Sequence, residues 1–235
     1  MSMTLVLFDI DGTLVSTGLA GGDAMGRAFE EIHGVADAFA GIEMSGKTDP
    51  AILREAWEAA GIGPAERDLR AFHDCYVRHL QDTLRESDRP RHLKPGLPGL
   101  LDAIAGHDDA VLGLLTGNFV TGAQFKLESF GILHYFRIGA YGSDNEDRKA
   151  LVPVAQLRAR QYCVTYIAPE RTFVIGDTPR DIACAHAHDV QAVAVATGNY
   201  SLADLQAHEP DHCFADLSDQ QAVLQCLGLD SNSEE

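Results

Sequence analysis

Two aspartates one residue apart, Asp9 and Asp11, follow a run of strand-forming residues, Leu5-Val6-Leu7-Phe8, and lead into Gly-Thr. Side chains alternate along an extended strand, so both carboxylates face the same way. Two like charges this close cost free energy unless positive charge lies between them. Three later stretches have the same form, an apolar run ending in polar residues: Thr116-Gly117-Asn118, then GSDNEDRK with Arg148 and Lys149, then Gly176-Asp177 with Asp181. Asp9 and Asp177 together suit a hard divalent cation bound through oxygen. Mg²⁺ fits, since it takes one or two carboxylates alongside water and substrate phosphate. In such a site Asp9 would attack phosphorus to give an aspartyl-phosphate. Asp11 would protonate the leaving oxygen and later take a proton from the hydrolytic water. Thr116 and an Arg or Lys side chain would hold the phosphoryl oxygens.

The elements that must position these residues are legible as alternating patterns. Apolar runs at 5–8, 110–115, 136–140, 172–175 and 192–196 read as buried parallel strands. Helical patterns at 97–104, 120–130, 150–160 and 181–188 lie between or beside them. Strands alternating with helices predict an α/β, Rossmann-like, doubly wound parallel sheet, whose functional residues collect beyond the carboxyl ends of the strands. Residues 17–91 break the rhythm: no strand pattern is present, and helices are expected at 24–32, 50–60 and 65–84. The stretch DRPRHLKPG marks the return. The expected organisation is an α/β core of residues 1–16 and 92–235 interrupted by an all-helical insert, residues 17–91. The tail SNSEE is expected to fray.

FDIDGT, LLTGN and VIGDTPRDI, in that order and after those strands, resemble the successive motifs of the haloacid dehalogenase superfamily of hydrolases. The insert is similar to that superfamily's C1-type helical cap. The resemblance implies Asp9 as nucleophile and Asp11 as general acid and base, with the Asp11 backbone carbonyl on the metal beside Asp9 and Asp177. It implies phosphate binding by Thr116 with Gly117 and Asn118 of the same turn, and a supporting carboxylate at Asp181. Many relatives carry a Lys followed by Pro-x-Pro at the third motif. Here DRKALVP leaves Arg148 and Lys149 as alternatives, with Arg148 favoured because a guanidinium holds carboxylate and phosphate oxygens together. The cap segment Gly46-Lys47-Thr48 looks like the G-[KR]-T-D loop of phosphoglycolate-phosphatase-like members, with Lys47 placed to meet the non-phosphate end of a substrate. Glu43 and Arg54 are weaker candidates for that contact. A nucleotide P-loop is disfavoured, because no strand precedes this segment.

The implied activity is Mg²⁺-dependent hydrolysis of a small phosphate monoester. Asp11 argues against dehalogenase and phosphonatase chemistry, whose members lack an aspartate there. A hexose-phosphate mutase remains the enzyme alternative, and a non-catalytic binding protein on the same scaffold the alternative of another class. With 18 basic and 35 acidic residues the formal net charge is −17, which disfavours nucleic-acid and anionic-membrane partners. Five scattered cysteines without a CxxC pattern point to free thiols in a reducing, cytoplasmic setting. An oligomer is possible, but no sequence feature indicates one. Ten histidines do not fall into ligand spacing, and Trp57 and Phe72 are expected to pack inside the insert.

Overall fold

A computed structural model describes residues 3–86 and 88–229; the SNSEE tail lies outside the described residues. In chain order the elements are β1 (Thr4–Phe8), β2 (Val15–Ser16), α1 (Ala20–His33), α2 (Asp49–Ala59), α3 (Leu69–Arg85), β3 (His92–Leu93), α4 (Gly99–Ala105), β4 (Ala110–Thr116) and α5 (Val120–Glu128). There follow β5 (Ile138–Tyr141), α6 (Leu151–Cys163), β6 (Thr172–Gly176), α7 (Pro179–His186), β7 (Gln191–Val195), α8 (Leu202–Gln206), β8 (His212–Phe214) and α9 (Gln220–Cys226).

Six strands form one parallel sheet in the order β5-β4-β1-β6-β7-β8. The first strand is therefore central, which explains why all five of its residues are buried. Strand alternation sorts its side chains between two cores. Val6 and Phe8 pack with Leu100, Leu101 and Ile104 of α4 and with Leu127 of α5. Leu5 and Leu7 pack on the other face with Val152 and Ala155 of α6 and Ile182 of α7. Helices thus cover both faces, as a sheet of near-continuous apolar strands requires. Burying each Leu, Val or Phe side chain contributes roughly 1.5–3 kcal/mol.

The chain leaves the sheet through β2 and returns through β3, which pair antiparallel, Val15 with Leu93 and Ser16 with His92. Between these crossings α1, α2 and α3 share their own apolar cluster, including Phe29, Leu53, Trp57, Phe72 and Leu80. Trp57 and Phe72 stack edge to face inside it. Phe119 of the sheet layer joins this cluster, and Gly122 of α5 lets α3 approach closely: a Cβ there would lie 2.8 Å from the Tyr76 hydroxyl.

The structure corrects several element bounds. The expected helix at 65–84 is interrupted at Arg67, because the Asp68 carboxylate accepts the Ala71 N–H and starts α3 afresh. The strand expected at 136–140 begins two residues later, since Leu133–Tyr135 forms a 3₁₀ turn that carries Phe136 out of register. Helix α7 starts at Pro179, a residue suited to the first helical position. The short, half-buried edge strand β8 and helices α8 and α9 carry too little periodicity to be read from sequence. All five cysteines are free. Among the described residues, no helix is long and apolar enough to cross a membrane.

Candidate active site

The four polar strand ends meet. Asp9 and Asp11 lie beyond β1, Thr116 ends β4, and Asp177 follows β6. They line one cavity of about 570 Å³ with Gly117, Asn118 and Arg148, covered by Gly46, Lys47 and Asp49 from the helical insert. Adjacent parallel strands bring their carboxyl ends to the same edge, so the register of β1 with β4 and β6 produces this convergence.

Asp9 is buried, and its Oδ1 lies 3.0 Å from Nη2 of Arg148. The same guanidinium nitrogen lies 2.6 Å from Oδ1 of Asp181. Thr178 donates both its backbone N–H, at 3.1 Å, and its hydroxyl, at 2.7 Å, to Oδ2 of Asp181. Asp181 is thereby engaged through both oxygens and completes the capping box of α7. Asp177 accepts the Thr13 hydroxyl at 3.1 Å on Oδ1. Two glycines crowd its other side. A Cβ on Gly12, whose φ is +90°, would lie 2.3 Å from Asp177 Oδ2, and one on Gly198 would lie 1.6 Å from it. The glycine of DGT is therefore required both for its left-handed backbone and for the approach of Asp177.

Carboxylate oxygens of Asp9, Asp177 and Asp181 lie within 4.8 Å of one another. Burial pushes the Asp9 carboxyl up to about 6; Arg148 opposes this, and Asp181 and Asp11 add to it. Burial, followed by the neighbouring Asp9 and Asp181, pushes Asp177 up to about 8. One guanidinium is left to balance three carboxylates. That deficit of positive charge, with oxygen-only donors and Asp181 already engaged, fits a hard divalent cation held by Asp9 and Asp177.

Asp11 has a cation of its own. Lys126 Nζ, buried on α5, lies 2.5 Å from Asp11 Oδ2 and 2.6 Å from Asn118 Oδ1. Asn118 Nδ2 donates to Asp11 Oδ2 at 2.9 Å and to Thr116 Oγ1 at 2.8 Å. The Asn118 side chain is committed to Asp11, Thr116 and Lys126, which leaves its backbone for the phosphate contact expected of this residue.

Of the two third-motif alternatives, Arg148 enters the cluster and Lys149 does not. Lys149 is exposed, and its carbonyl is paired with the His188 ring. The loop before α2 divides similarly. Gly46, at φ +70°, lies against Thr178 and Arg180. Lys47 reaches the cavity but is paired with Glu55 at 2.7 Å. Thr48 serves structure: its hydroxyl donates to the Glu146 carbonyl at 2.6 Å and caps α2. Gly117 receives the loop, because a Cβ there would lie 2.0 Å from the Lys47 carbonyl, and its own carbonyl accepts the Asp49 N–H at 2.7 Å. Arg54 turns away from the cavity to Glu146 and Glu58. Glu43 accepts from the Tyr200 hydroxyl at 2.9 Å and Arg180 donates to the Ser45 carbonyl at 2.8 Å, which ties this loop to the sheet layer.

Sequence reasoning missed Lys126, Asp49, Thr13 and Gly198. Lys126 sits in a helix, QFKLE, where a lysine ordinarily reaches solvent. The only signal was the positive charge that the opening pair of aspartates requires. Asp49 is buried, accepts the Phe119 N–H at 2.7 Å, and is pushed up to about 7 by that burial against the pull of Lys126.

A family model described as haloacid dehalogenase-like hydrolase matches residues 3–189. The chain is 26% identical over 243 residues to a phosphoglycolate phosphatase of Shigella boydii, covering 95% of this chain and 92% of that one. It is 29% identical over 219 residues to a phosphoglycolate phosphatase of Rhodospirillum rubrum, covering 91% and 89%. Its fold matches CbbY from Rhodobacter sphaeroides in complex with phosphate, with a TM-score of 0.73 at 18% identity over 92% of this chain and 96% of that one. The chain belongs to the haloacid dehalogenase-like hydrolases.

Proposed function

We propose that this chain is a Mg²⁺-dependent phosphatase that hydrolyses a small phosphate monoester through an aspartyl-phosphate on Asp9. The observation that carries the reading is the buried cluster of Asp9, Asp177 and Asp181 around a single guanidinium, open to a cavity shared with Asp11 and Thr116. The phosphoglycolate phosphatases it resembles over nearly its whole length support 2-phosphoglycolate as the first ester to test.

Mg²⁺ held by Asp9 and Asp177, and by the Asp11 backbone carbonyl, would offset the negative charge of the phosphoryl group. Arg148 keeps the buried Asp9 carboxylate oriented. An Asp9 oxygen forms a bond to phosphorus as the ester P–O bond breaks. The leaving oxygen takes a proton from Asp11, whose electron pair stays behind as carboxylate. In the second half, Asp11 takes a proton from water as that water attacks phosphorus. The Asp9–phosphorus bond breaks, and free phosphate and both carboxyl groups are restored. Thr116 and the backbone of Gly117 hold the phosphoryl oxygens. Residues 17–91 act as a helical cap, whose loop 43–49 covers the cavity and limits bulk water.

The test is a panel of small esters, including 2-phosphoglycolate and hexose phosphates, incubated with Mg²⁺ and with EDTA. Phosphate release that requires Mg²⁺ is expected. Isomerised sugar phosphate without release would replace this reading with a mutase, and no reaction on any ester with a binding protein.

A further inference from the structure

We infer that Lys126 is a positioning residue for phosphoryl transfer, which acts through Asp11 by fixing which of its oxygens delivers the proton. This rests on the phosphatase reading above and extends it to a residue outside the four motifs.

Lys126 is buried on α5, and its ammonium has three protons to place. One goes to Asp11 Oδ2 at 2.5 Å and one to Asn118 Oδ1 at 2.6 Å. Because Asn118 turns its carbonyl oxygen to the ammonium, its amide NH₂ must face the other way. There it donates to Asp11 Oδ2 at 2.9 Å and to Thr116 Oγ1 at 2.8 Å. Lys126 thus sets the Asn118 amide, and the two side chains together place two N–H donors on the same oxygen of Asp11. An oxygen that accepts two such donors is the poorer place for a proton. Asp11 Oδ1, which accepts no side-chain donor among the described residues, is left to carry it. The Asp11 side chain is 43% exposed and lines the cavity, while that of Lys126 is 5% exposed, so the lysine is enclosed and the carboxyl it holds faces the cavity.

The cap closes over this lysine. A Cβ on Gly21 of α1 would lie 3.0 Å from Lys126 Nζ, so the helix passes close against the ammonium. Asp49, also from the cap side, adds a carboxylate near the same ammonium. The orientation of Asp11 is therefore built on a residue that both layers enclose.

Proton delivery matters for an alkoxide leaving group and little for a nitrophenolate, which departs without it. The test compares Lys126→Met with the parent, both with Mg²⁺, on the best alkyl phosphate of the panel and on 4-nitrophenyl phosphate. The variant is expected to lose kcat/KM on both, with the loss at least about tenfold larger on the alkyl ester. The ratio of the two losses does not depend on the fraction of protein folded. Lys126→Arg keeps the charge but moves the donors, and is expected to give a ratio between parent and Lys126→Met. If Lys126→Met does not fold, a skewed ratio in Lys126→Arg carries the same test. Equal losses on the two esters would make Lys126 purely structural and overturn the inference, as would no loss on either. Failure of the parent to release phosphate from any ester would instead remove the phosphatase reading.

Discussion

Asp177 is wedged between Gly12 and Gly198, and that fit gives a direct handle on the proposed cation site. A Cβ at position 198 would fall 1.6 Å from Asp177 Oδ2, so Gly198→Ala must displace the carboxylate. Changes in the residues that orient a ligand typically cost 10–100-fold in metal affinity or activity. Gly198→Ala is therefore expected to raise the Mg²⁺ concentration for half-maximal activity by about 10–100-fold, read by titrating Mg²⁺ against phosphate release. An unchanged requirement would remove Asp177 from the cation site. Asp9 and Asp177 were legible because each stands at a strand end, where an acidic side chain after an apolar run has no structural reason to be, and Arg148 because it opens the helix after the next polar strand-to-helix connection. Lys126 and Gly198 were not. One is hidden in a helical pattern that fits a solvent-facing lysine, and the other matters only through an atom 21 residues away in sequence, at Asp177.

At the scale of elements, α1 and α3 are held together inside by apolar packing and outside by ion pairs. Glu31 meets Arg78 at 2.7 Å and His79 at 2.8 Å. Hydrogen bonds from Arg78, then His79, hold the Glu31 carboxyl down at about 2. An unfolded glutamate titrates near ~4.3, so this pairing stabilises the fold above that value and is lost as the pH falls toward 2. Glu31→Gln is expected to lower Tm modestly at pH 7 and to converge on the parent as the pH approaches about 2. A gap in Tm that stays constant across that range would show that Glu31 contributes through something other than its charge. The sheet was readable from sequence because a central parallel strand must be apolar on both faces, as β1 and β4 are. The small elements that were missed, β2, β3 and β8, have two or three residues each and take their conformation from pairing partners distant in sequence.

For the molecule as a whole, the net charge of −17 opposes the approach of a phosphate ester, and Arg148, Lys126 and Lys47 counter it only locally. Raising ionic strength from about 0.01 M to 0.15 M shortens the screening length from about 30 Å to 8 Å. This weakens the long-range repulsion more than the short, buried pairs. The parent protein is expected to gain about twofold or more in kcat/KM for a dianionic ester over that range at fixed free Mg²⁺. A steady fall would mean that the field at the cavity mouth is set by its few cations rather than by the acidic surface. The central claim is that Asp9 carries the phosphoryl group. It is tested most directly by quenching the protein during turnover with Mg²⁺ and substrate, reducing any acyl phosphate with borohydride, and mapping the modified residue by mass spectrometry. Conversion of Asp9 to homoserine is predicted, absent with EDTA and absent in Asp9→Asn, which should also lose at least ~10³-fold in phosphate release. Sustained phosphate release with no adduct at Asp9, or with the adduct on another residue, would contradict the account.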